Sequence, residues 1–432
     1  MVSMIGRIRI GRLSTLSALV LLGSSRMVAG AVGNVSHLTV YEAGVGEFLE
    51  SRTVELQPGL NTVEWRSIMP QAHVRTIRVT AENAEVVRQD VSYDGALAGN
   101  ERSPVLHLTI RNPGAAGPRR VQVDYLAPGM GWQADYALVL DPTANGAPPT
   151  SGRLDCWVSV RNQTSADIAA GVLDLVAGEI SLLVGAGQSR GDSMQMQSMN
   201  AFRATEPEWE PAPTTVEGSG IGSVHRFRLG RDLTMNANSP ISRFPLLQGA
   251  RVGITQRNVF ENEYGTQTLA RGGFVLLPRG LEVRLVSKNA GESPLPAGQV
   301  TTYGQASEAL QIVGQDRIPL TPANAEWGVS QGRSATLFGT RRILERRQVP
   351  YRREDGNSRE KLVTRVEVVL TNRGALAAEA IVREGIEAYG DNQWSVTASS
   401  GESDRLGSNT LQFRLEVPAK STMAVSYTVE TK

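Results

Sequence analysis

The sequence contains a single cysteine, Cys156, in 432 residues, so the chain cannot form an intrachain disulfide. Leu154, Val158 and Val160 lie on the same face of a predicted strand as Cys156, because strand side chains alternate between two faces. We therefore interpret Cys156 as a small core residue. A nucleophilic thiol needs an exposed, electropositive setting, and no feature of the sequence supplies one.

The chain also lacks an excess of either charge. Lys and Arg number 44 and Asp and Glu number 43, which gives a formal net charge of +1 at pH 7. This balance provides no electrostatic footprint for nucleic acid or for an anionic membrane. Because 41% of the residues are hydrophobic, the chain is globular rather than disordered, and its length suffices for roughly two to four domains.

Histidine is scarce, and no catalytic motif occurs. None of the four histidines stands at metal-ligand spacing from another His, a Cys or a carboxylate. His107 alternates with leucines and is predicted to face water, whereas His225 shares a face with Phe227 and is predicted to pack against the strand's neighbours. The absence of G-x-S-x-G disfavours a Ser-His-Asp triad. We predict no catalytic, cofactor-binding or metal-ligating residue, and no cofactor.

A long apolar run is missing as well, and the short one near the N-terminus is typical of an export signal. Three arginines between residues 7 and 12 precede an apolar stretch over residues 13–23, and Ala29-Gly30-Ala31 forms an A-x-A cleavage site. The stretch is shorter than the roughly 20 residues that span a membrane. We expect residues 1–31 to be a signal peptide cleaved after Ala31, and the mature protein to be periplasmic or secreted, with no transmembrane segment.

What the sequence does contain is alternation of apolar and polar residues. Residues 362–370, 411–417 and 423–429 alternate with a period of two, which places one face of each strand in a core and the other in water. Turn residues separate the runs, and the chain has 44 Gly and 21 Pro. We predict an all-β, multidomain β-sandwich architecture with an immunoglobulin-like sandwich at the C-terminus.

Breaks in the alternation predict the domain limits. Residues 1–31 are the signal peptide, 32–112 an N-terminal β domain, 119–334 a central β domain with a flexible loop at 185–222, and 335–432 a long hairpin followed by a β-sandwich. The turn of the hairpin is predicted at Glu354-Asp355-Gly356-Asn357, because Asp-Gly favours tight hairpin turns. No internal repeat is evident.

Several short segments resemble a known family. They are residues 132–136, 160–164, 173–178, 314–318, 371–373, 393–396 and 427–429, together with the most specific one, Leu295-Pro296-Ala297-Gly298-Gln299-Val300-Thr301-Thr302-Tyr303. They are similar to the domain-of-unknown-function family 4139, which includes mucoidy-inhibitor-like proteins, over roughly residues 121–432. The family carries no catalytic motif to transfer, so the resemblance assigns no site residue.

The N-terminal part extends this resemblance, with one departure. Residues 40–41 and 56–59 look like the small β domain that often precedes the family's main region. Many members place a long coiled coil between the two parts, whereas this chain has a short loop over residues 95–104. A role that depends on the coiled coil is therefore not expected here.

Two groups of charged residues have a functional and a structural interpretation. Glu384, Glu387 and Asp391 could serve glycoside hydrolysis if they were held at the required separation; we favour solvated loop charges. The arginines of residues 341–347 and 352–353 could bind an acidic polysaccharide or a phosphate. We favour charges that discourage edge-to-edge pairing of an exposed hairpin.

The remaining motifs carry little weight. Met194, Met196 and Met199 lie in loop 185–222 and raise a soft-metal hypothesis, although no His or Cys accompanies them. We interpret Arg190-Gly191-Asp192, which matches an adhesion tripeptide, as chance. Asn34-Val35-Ser36 and Asn162-Gln163-Thr164 are glycosylation sequons, which matter only in a eukaryotic secretory route.

Our leading hypothesis is an exported envelope protein that acts as a non-enzymatic binding or scaffolding module. Its partner would be another envelope protein or a surface polysaccharide, with no nucleic acid. One alternative is a carbohydrate-active hydrolase of the cell envelope that uses acidic residues. The other is metal handling through the methionine-containing loop.

Overall fold

The computed structural model describes residues 32–94, 102–178, 224–237, 239–261, 278–306, 309–352, 358–386 and 394–431. Strands dominate these residues, and none of the described residues is in an α-helix. The first half of the strands are β1 (Val32–Tyr41), β2 (Val45–Leu56), β3 (Gly59–Trp65), β4 (Arg78–Ala81), β5 (Glu85–Asp94), β6 (Ser103–Asn112), β7 (Gly117–Pro128), β8 (Met130–Leu140), β9 (Ser151–Asn162), β10 (Ile168–Ala177), β11 (His225–Met235) and β12 (Ser239–Gly253). The second half are β13 (Thr255–Glu261), β14 (Arg279–Lys288), β15 (Gly298–Ala306), β16 (Ala309–Ile318), β17 (Glu326–Arg352), β18 (Ser358–Asn372), β19 (Ala378–Gly385), β20 (Trp394–Ser399), β21 (Ser403–Leu406), β22 (Thr410–Val417) and β23 (Ser421–Thr431). The predicted all-β, sandwich-type class is confirmed.

The described strands form four sheets. A six-stranded sheet has the order β11-β10-β1-β2-β7-β4, a three-stranded sheet the order β3-β6-β5, and a five-stranded sheet the order β12-β9-β8-β15-β16. A nine-stranded sheet has the order β20-β23-β18-β17-β14-β13-β19-β22-β21. Most neighbours are antiparallel, but β1 with β10, β8 with β15 and β13 with β19 are parallel pairs between strands far apart in the chain.

Two hydrophobic cores lie among these sheets. The first combines buried side chains from Val35 to Val329. It is formed mainly by the six-, three- and five-stranded sheets, and β14 and β17 of the nine-stranded sheet add Leu285, Trp327 and Val329. The second core combines buried side chains from Phe260 to Val429, which come mainly from strands of the nine-stranded sheet. The alternation that predicted strands at residues 362–370, 411–417 and 423–429 therefore also identified a large part of the second core.

The sheets continue through the positions where the sequence pattern breaks. β2 pairs with β7 along its whole length, from Val45 with Pro128 to Leu56 with Gly117, so residues before 112 and after 119 share one sheet. β17 likewise runs without interruption across residues 334 and 335, and its antiparallel pairing with β18 forms the predicted long hairpin. A turn-rich segment can connect two strands of one sheet as readily as two domains.

The Leu295–Tyr303 element fixes the parallel pair β8–β15. Gly298 pairs with Ala134, and a Cβ atom at Gly298 would lie 2.4 Å from the Ala134 carbonyl oxygen. The hydroxyl of Tyr136 donates a hydrogen bond to the carbonyl of Pro296 (2.7 Å). Glycine is therefore required for the close approach of the two backbones at the start of β15.

Four strand ends share the same arrangement of a buried asparagine. Asn112, Asn162 and Asn372 end β6, β9 and β18, Asn289 directly follows β14, and each of the four is 1–4% exposed. The side-chain oxygen of each accepts a hydrogen bond from the backbone N–H two residues later, at 2.8–3.1 Å. This is the local turn that Asn side chains favour.

The amide nitrogen of each asparagine completes the arrangement. It donates to a carbonyl three or four residues later and to a carbonyl of a separate segment. In Asn372 these acceptors are the carbonyls of Leu376 (2.8 Å) and Val417 (3.0 Å). One buried side chain thus satisfies backbone groups on both sides of a strand end.

We expect Asn372→Asp to lower the free energy of unfolding by about 3 kcal/mol. The aspartate keeps the oxygen that accepts from Gly374 but replaces the donor with an oxygen that faces two carbonyls in a dry environment. Urea denaturation followed by circular dichroism measures the loss. Gln311→Ala, at an exposed position of β16, is the control and should change stability by less than about 0.5 kcal/mol. Wild-type stability of Asn372→Asp would contradict this account.

Candidate functional site

A candidate site is a cleft of about 530 Å³ between the six-stranded sheet, the five-stranded sheet and the segment that follows β14. Its volume is in the range of small-molecule binding sites. The lining residues come from β8, β9, β11, β12, the end of β14, the loop before β15 and the start of β17: Tyr136, Leu154, Cys156, His225, Arg226, Phe227, Arg228, Leu246, Leu247, Ala250, Arg251, Val252, Lys288, Asn289, Ala290, Gly291, Glu292, Ser293, Pro294, Leu295, Pro296 and Trp327.

The floor of the cleft is apolar. Tyr136, Leu154, Cys156 and Phe227 belong to the first core, and none is more than 6% exposed. Burial raises the pKa of the Cys156 thiol to about 12. The prediction that Cys156 is a core residue is confirmed, and its thiol is protonated at neutral pH.

The rim of the cleft carries most of its charge. Arg226, Arg228, Arg251 and Lys288 line it together with one carboxylate, Glu292. The three arginines are exposed, with 54–66% of their side-chain surface in contact with solvent. Arg226 and Arg228 stand on the same face of β11 because strand side chains alternate, and His225 and Phe227 lie on the other face.

A buried carboxylate anchors β11 to the sheet at this rim. Asp174 on β10 is fully buried, and Arg228 binds it through Nε (2.9 Å to Oδ1) and Nη2 (3.1 Å to Oδ2). His37 lies 2.9 Å from Oδ2, and Arg226 lies 3.9 Å from the same oxygen. Burial opposes the charge on Asp174, but Arg228 and His37 outweigh it and lower its pKa.

The other two cations differ in their partners. Arg251 pairs with Asp141, with Nη2 2.6 Å from Oδ2. Lys288 is exposed, and its register partner Glu326 contacts Arg257 instead (3.5 Å). No described carboxylate lies within ion-pair distance of Lys288. Lys288 and the weakly paired Arg226 are therefore the rim cations whose charge is least neutralised by neighbouring carboxylates.

The cleft wall also contains a hydrogen-bond donor without an acceptor. Trp327 at the start of β17 is 3% exposed, and its indole Nε1 has no hydrogen-bond partner among the described residues. A buried donor left unpaired costs about 1–3 kcal/mol. An acceptor on a bound molecule would remove that cost.

The four histidines occupy separate places. His225 contacts the ring of Phe227 (4.6 Å between centroids), as predicted from their shared face, and burial lowers the pKa of His225 so that it is neutral at pH 7. His107 is half-buried and lies 2.8 Å from the Ser92 hydroxyl. Within the described part of the chain, no three His, Cys, Asp or Glu side chains are placed to hold a metal ion.

The prediction of a solvated loop charge is wrong for Glu384. Glu384 lies on β19 and is fully buried, and its Oε2 accepts hydrogen bonds from Arg341 Nε (2.8 Å) and the Tyr427 hydroxyl (2.7 Å). It shares the inward face of β19 with Val382 because of the period of two. Glu387 and Asp391 lie outside the described residues.

The prediction of an exposed hairpin charge is also wrong for Arg341. It is 3% exposed on β17 and points into the second core. Burial works against its charge, but the carboxylate of Glu384 and the Tyr427 hydroxyl raise the pKa of Arg341 above its ordinary value. The neighbouring Arg342 and Arg347 are exposed and pair with Glu367 and Glu345, as expected for a solvated hairpin.

The buried Glu384 does not line the cleft. Of the three carboxylates that motivated the hydrolase hypothesis, Glu384 is therefore not positioned to meet a polysaccharide, and the other two lie outside the described residues. Sequence reasoning missed the cleft because its walls come from strands far apart in the chain. The alternation of Arg226 and Arg228 on β11 was the one local signal available.

Several sequence motifs fall outside the described residues. They are the cleavage site at Ala31, the loop 185–222 with Met194, Met196 and Met199, and Arg190-Gly191-Asp192. Of the two sequons, Asn162 is buried and its amide nitrogen donates to Ala166 and Met235, so it is not open to a modifying enzyme in the folded protein. Among the residues that the structure describes, no helix has the length and apolarity needed to cross a bilayer.

Comparison with known proteins returned no match, either to a protein-family model or to a curated protein.

We expect Glu384→Gln to destabilise the protein by about 3–5 kcal/mol, because it leaves the Arg341 guanidinium buried without a counter-charge. Chemical denaturation measures the effect. Glu345→Gln is the matched control. It removes the carboxylate of an exposed pair with Arg347, on the strand that also carries Arg341, and should lower the free energy of unfolding by less than about 1 kcal/mol. Equal decreases in the free energy of unfolding of the two variants would show that burial does not increase the contribution of the Arg341–Glu384 pair to stability.

Asp174 should make stability depend on pH in the acidic range. Its pKa is lower in the folded protein than in the unfolded chain, so the unfolded chain binds more protons and stability rises with pH. The stabilisation is fully present above the unfolded value, about pH 4, and is lost as pH falls through the folded value. In Asp174→Asn the slope of unfolding free energy against pH below about pH 4 should be smaller. An unchanged slope would mean that Asp174 is not held ionised by Arg228 and His37.

Proposed function

We propose that the chain is an exported envelope protein that acts as a non-enzymatic binding module, and that the cleft between the six- and five-stranded sheets is its binding site. The observation that carries the proposal is the cleft itself. It combines a volume of about 530 Å³, an apolar floor and an exposed cationic rim. This is the usual composition of a ligand site, in which apolar surface provides affinity and a few polar groups fix orientation.

Two sequence features support an exported and non-enzymatic protein. The basic and apolar pattern of residues 1–31 favours export to the periplasm or the exterior, with cleavage after Ala31. The resemblance to the domain-of-unknown-function family 4139 favours a protein without transferable catalytic residues. The protein would thus work through a surface that binds an envelope component.

The chemistry at the cleft favours binding over catalysis. The Cys156 thiol is held protonated by burial, His225 is neutral, and the lining contains a single carboxylate, Glu292, among the described residues. General acid–base hydrolysis of a glycoside needs two carboxylates on either side of the scissile bond. The described lining offers anchoring groups rather than such a pair.

A substitution that fills the cleft tests the proposal. Ala250→Trp places a large side chain in the lining, whereas Ala377→Trp places the same side chain at an exposed position before β19. We expect envelope extracts or defined envelope components to raise the melting temperature of the wild type and of Ala377→Trp, but not of Ala250→Trp. Circular dichroism checks that both variants are folded.

The result that would overturn the proposal is equal stabilisation of all three proteins. That result would place binding elsewhere on the molecule.

A further inference from the structure

We propose that the ligand of the cleft is an amphiphilic anion, a molecule with one carboxylate or phosphate head on an apolar body. This inference rests on the proposed binding function and specifies the chemical class of the ligand. The head would lie at the rim near Lys288 and Arg226, and the body would lie on the floor formed by side chains such as Leu154 and Phe227.

The charges at the rim select an anion. Four cations face one carboxylate, Glu292, and two further carboxylates, Asp174 and Asp141, are engaged by Arg228 and Arg251. Lys288 and Arg226, whose contact with Asp174 is a long one of 3.9 Å, therefore have the most charge left to bind a ligand. Glu292 is the one carboxylate of the described lining. This small surplus suits a head of low charge, since a long polyanion would need a larger basic surface.

The floor of the cleft selects an apolar body. Leu154 and Phe227 are almost fully buried, and Leu246, Leu247 and Val252 are half-buried. Apolar surface placed on this floor leaves water and contributes about 25 cal/mol per Å². The hydroxyl groups of a sugar would instead lose hydrogen bonds to water without recovering them from these side chains. An amphiphile therefore fits the cleft better than an acidic polysaccharide does.

Trp327, which lines the cleft, would add a specific polar contact to this site. Its Nε1–H is a buried donor without a partner among the described residues. A carboxylate or phosphate oxygen provides the strong acceptor that such a donor needs, and bonds to charged acceptors are stronger than neutral ones. Trp327→Phe removes the donor while keeping most of the ring, so it separates this hydrogen bond from packing.

Isothermal titration calorimetry with a set of short probes tests the proposal on the full chain. Decanoate and decyl phosphate carry the two kinds of anionic head, decyl glucoside has the same apolar body with a neutral head, acetate is a head without a body, and polygalacturonate is an acidic polysaccharide. We expect decanoate, decyl phosphate or both to bind at least about tenfold more tightly than decyl glucoside, and acetate to bind too weakly to detect.

Variants assign the binding to the cleft. Lys288→Gln and Arg226→Gln should each weaken binding of the anionic probe by roughly tenfold and leave the affinity for decyl glucoside unchanged. Trp327→Phe should weaken the anionic probe several-fold without lowering the melting temperature. Arg88→Gln, an exposed arginine on β5 that pairs with Asp90, is the control and should bind like the wild type.

The outcomes distinguish this inference from the proposed function. Equal affinity for decyl glucoside and decanoate, or binding of polygalacturonate alone, would overturn the ligand class and leave the binding function standing. Binding of an anionic amphiphile that neither Lys288→Gln nor Arg226→Gln weakens would overturn the assignment of the head to this rim. Failure of every probe and every envelope component to bind would overturn both proposals.

Discussion

Four of the described strands end inside the molecule, where water does not reach the backbone groups that the sheet leaves unpaired. A buried carbonyl or amide without a partner costs as much as several good contacts contribute. At each of these ends an asparagine supplies both the acceptor and the donors that are required, and in Asn289 the amide reaches three carbonyls. Because one of the acceptors lies on a separate segment, the same side chain that ends a strand also holds two parts of the fold together.

Buried charges follow the same rule. Glu50 is 1% exposed and accepts hydrogen bonds from Trp65 Nε1 (2.8 Å), the Tyr125 hydroxyl (3.1 Å) and the Ser67 hydroxyl. Glu384 is held in a similar way by Arg341 and Tyr427. Each core thus contains a buried carboxylate that accepts hydrogen bonds from its neighbours. Such residues are poor candidates for chemistry, since they are buried among the groups that bind them.

The period of two was enough to predict the class of the fold and much of the second core, because it is a local property of each strand. It also placed Cys156 correctly and paired His225 with Phe227. It did not reveal that Glu384 and Arg341 face inward, since a charged residue at an inward position looks like a break in the pattern until its partner is known. Arg341 and Glu384 are far apart in the sequence, so their ion pair cannot be predicted without knowing how β17, β19 and β23 are arranged in space. The cleft was hidden for the same reason, because no single segment contains more than one wall of it.

The parallel pairing of β1 with β10 has a consequence for how the chain acquires its shape. Val32 pairs with Ile168 and Tyr41 with Val176, so during synthesis β1 is made well before its parallel partner β10. Contacts between distant parts of a chain close slowly, and an unpaired strand edge is prone to join another chain. In newly made molecules one edge of β1 therefore stays unpaired, and prone to aggregation, until β10 has been synthesised. A chaperone that covers this edge of β1 would raise the yield of folded protein.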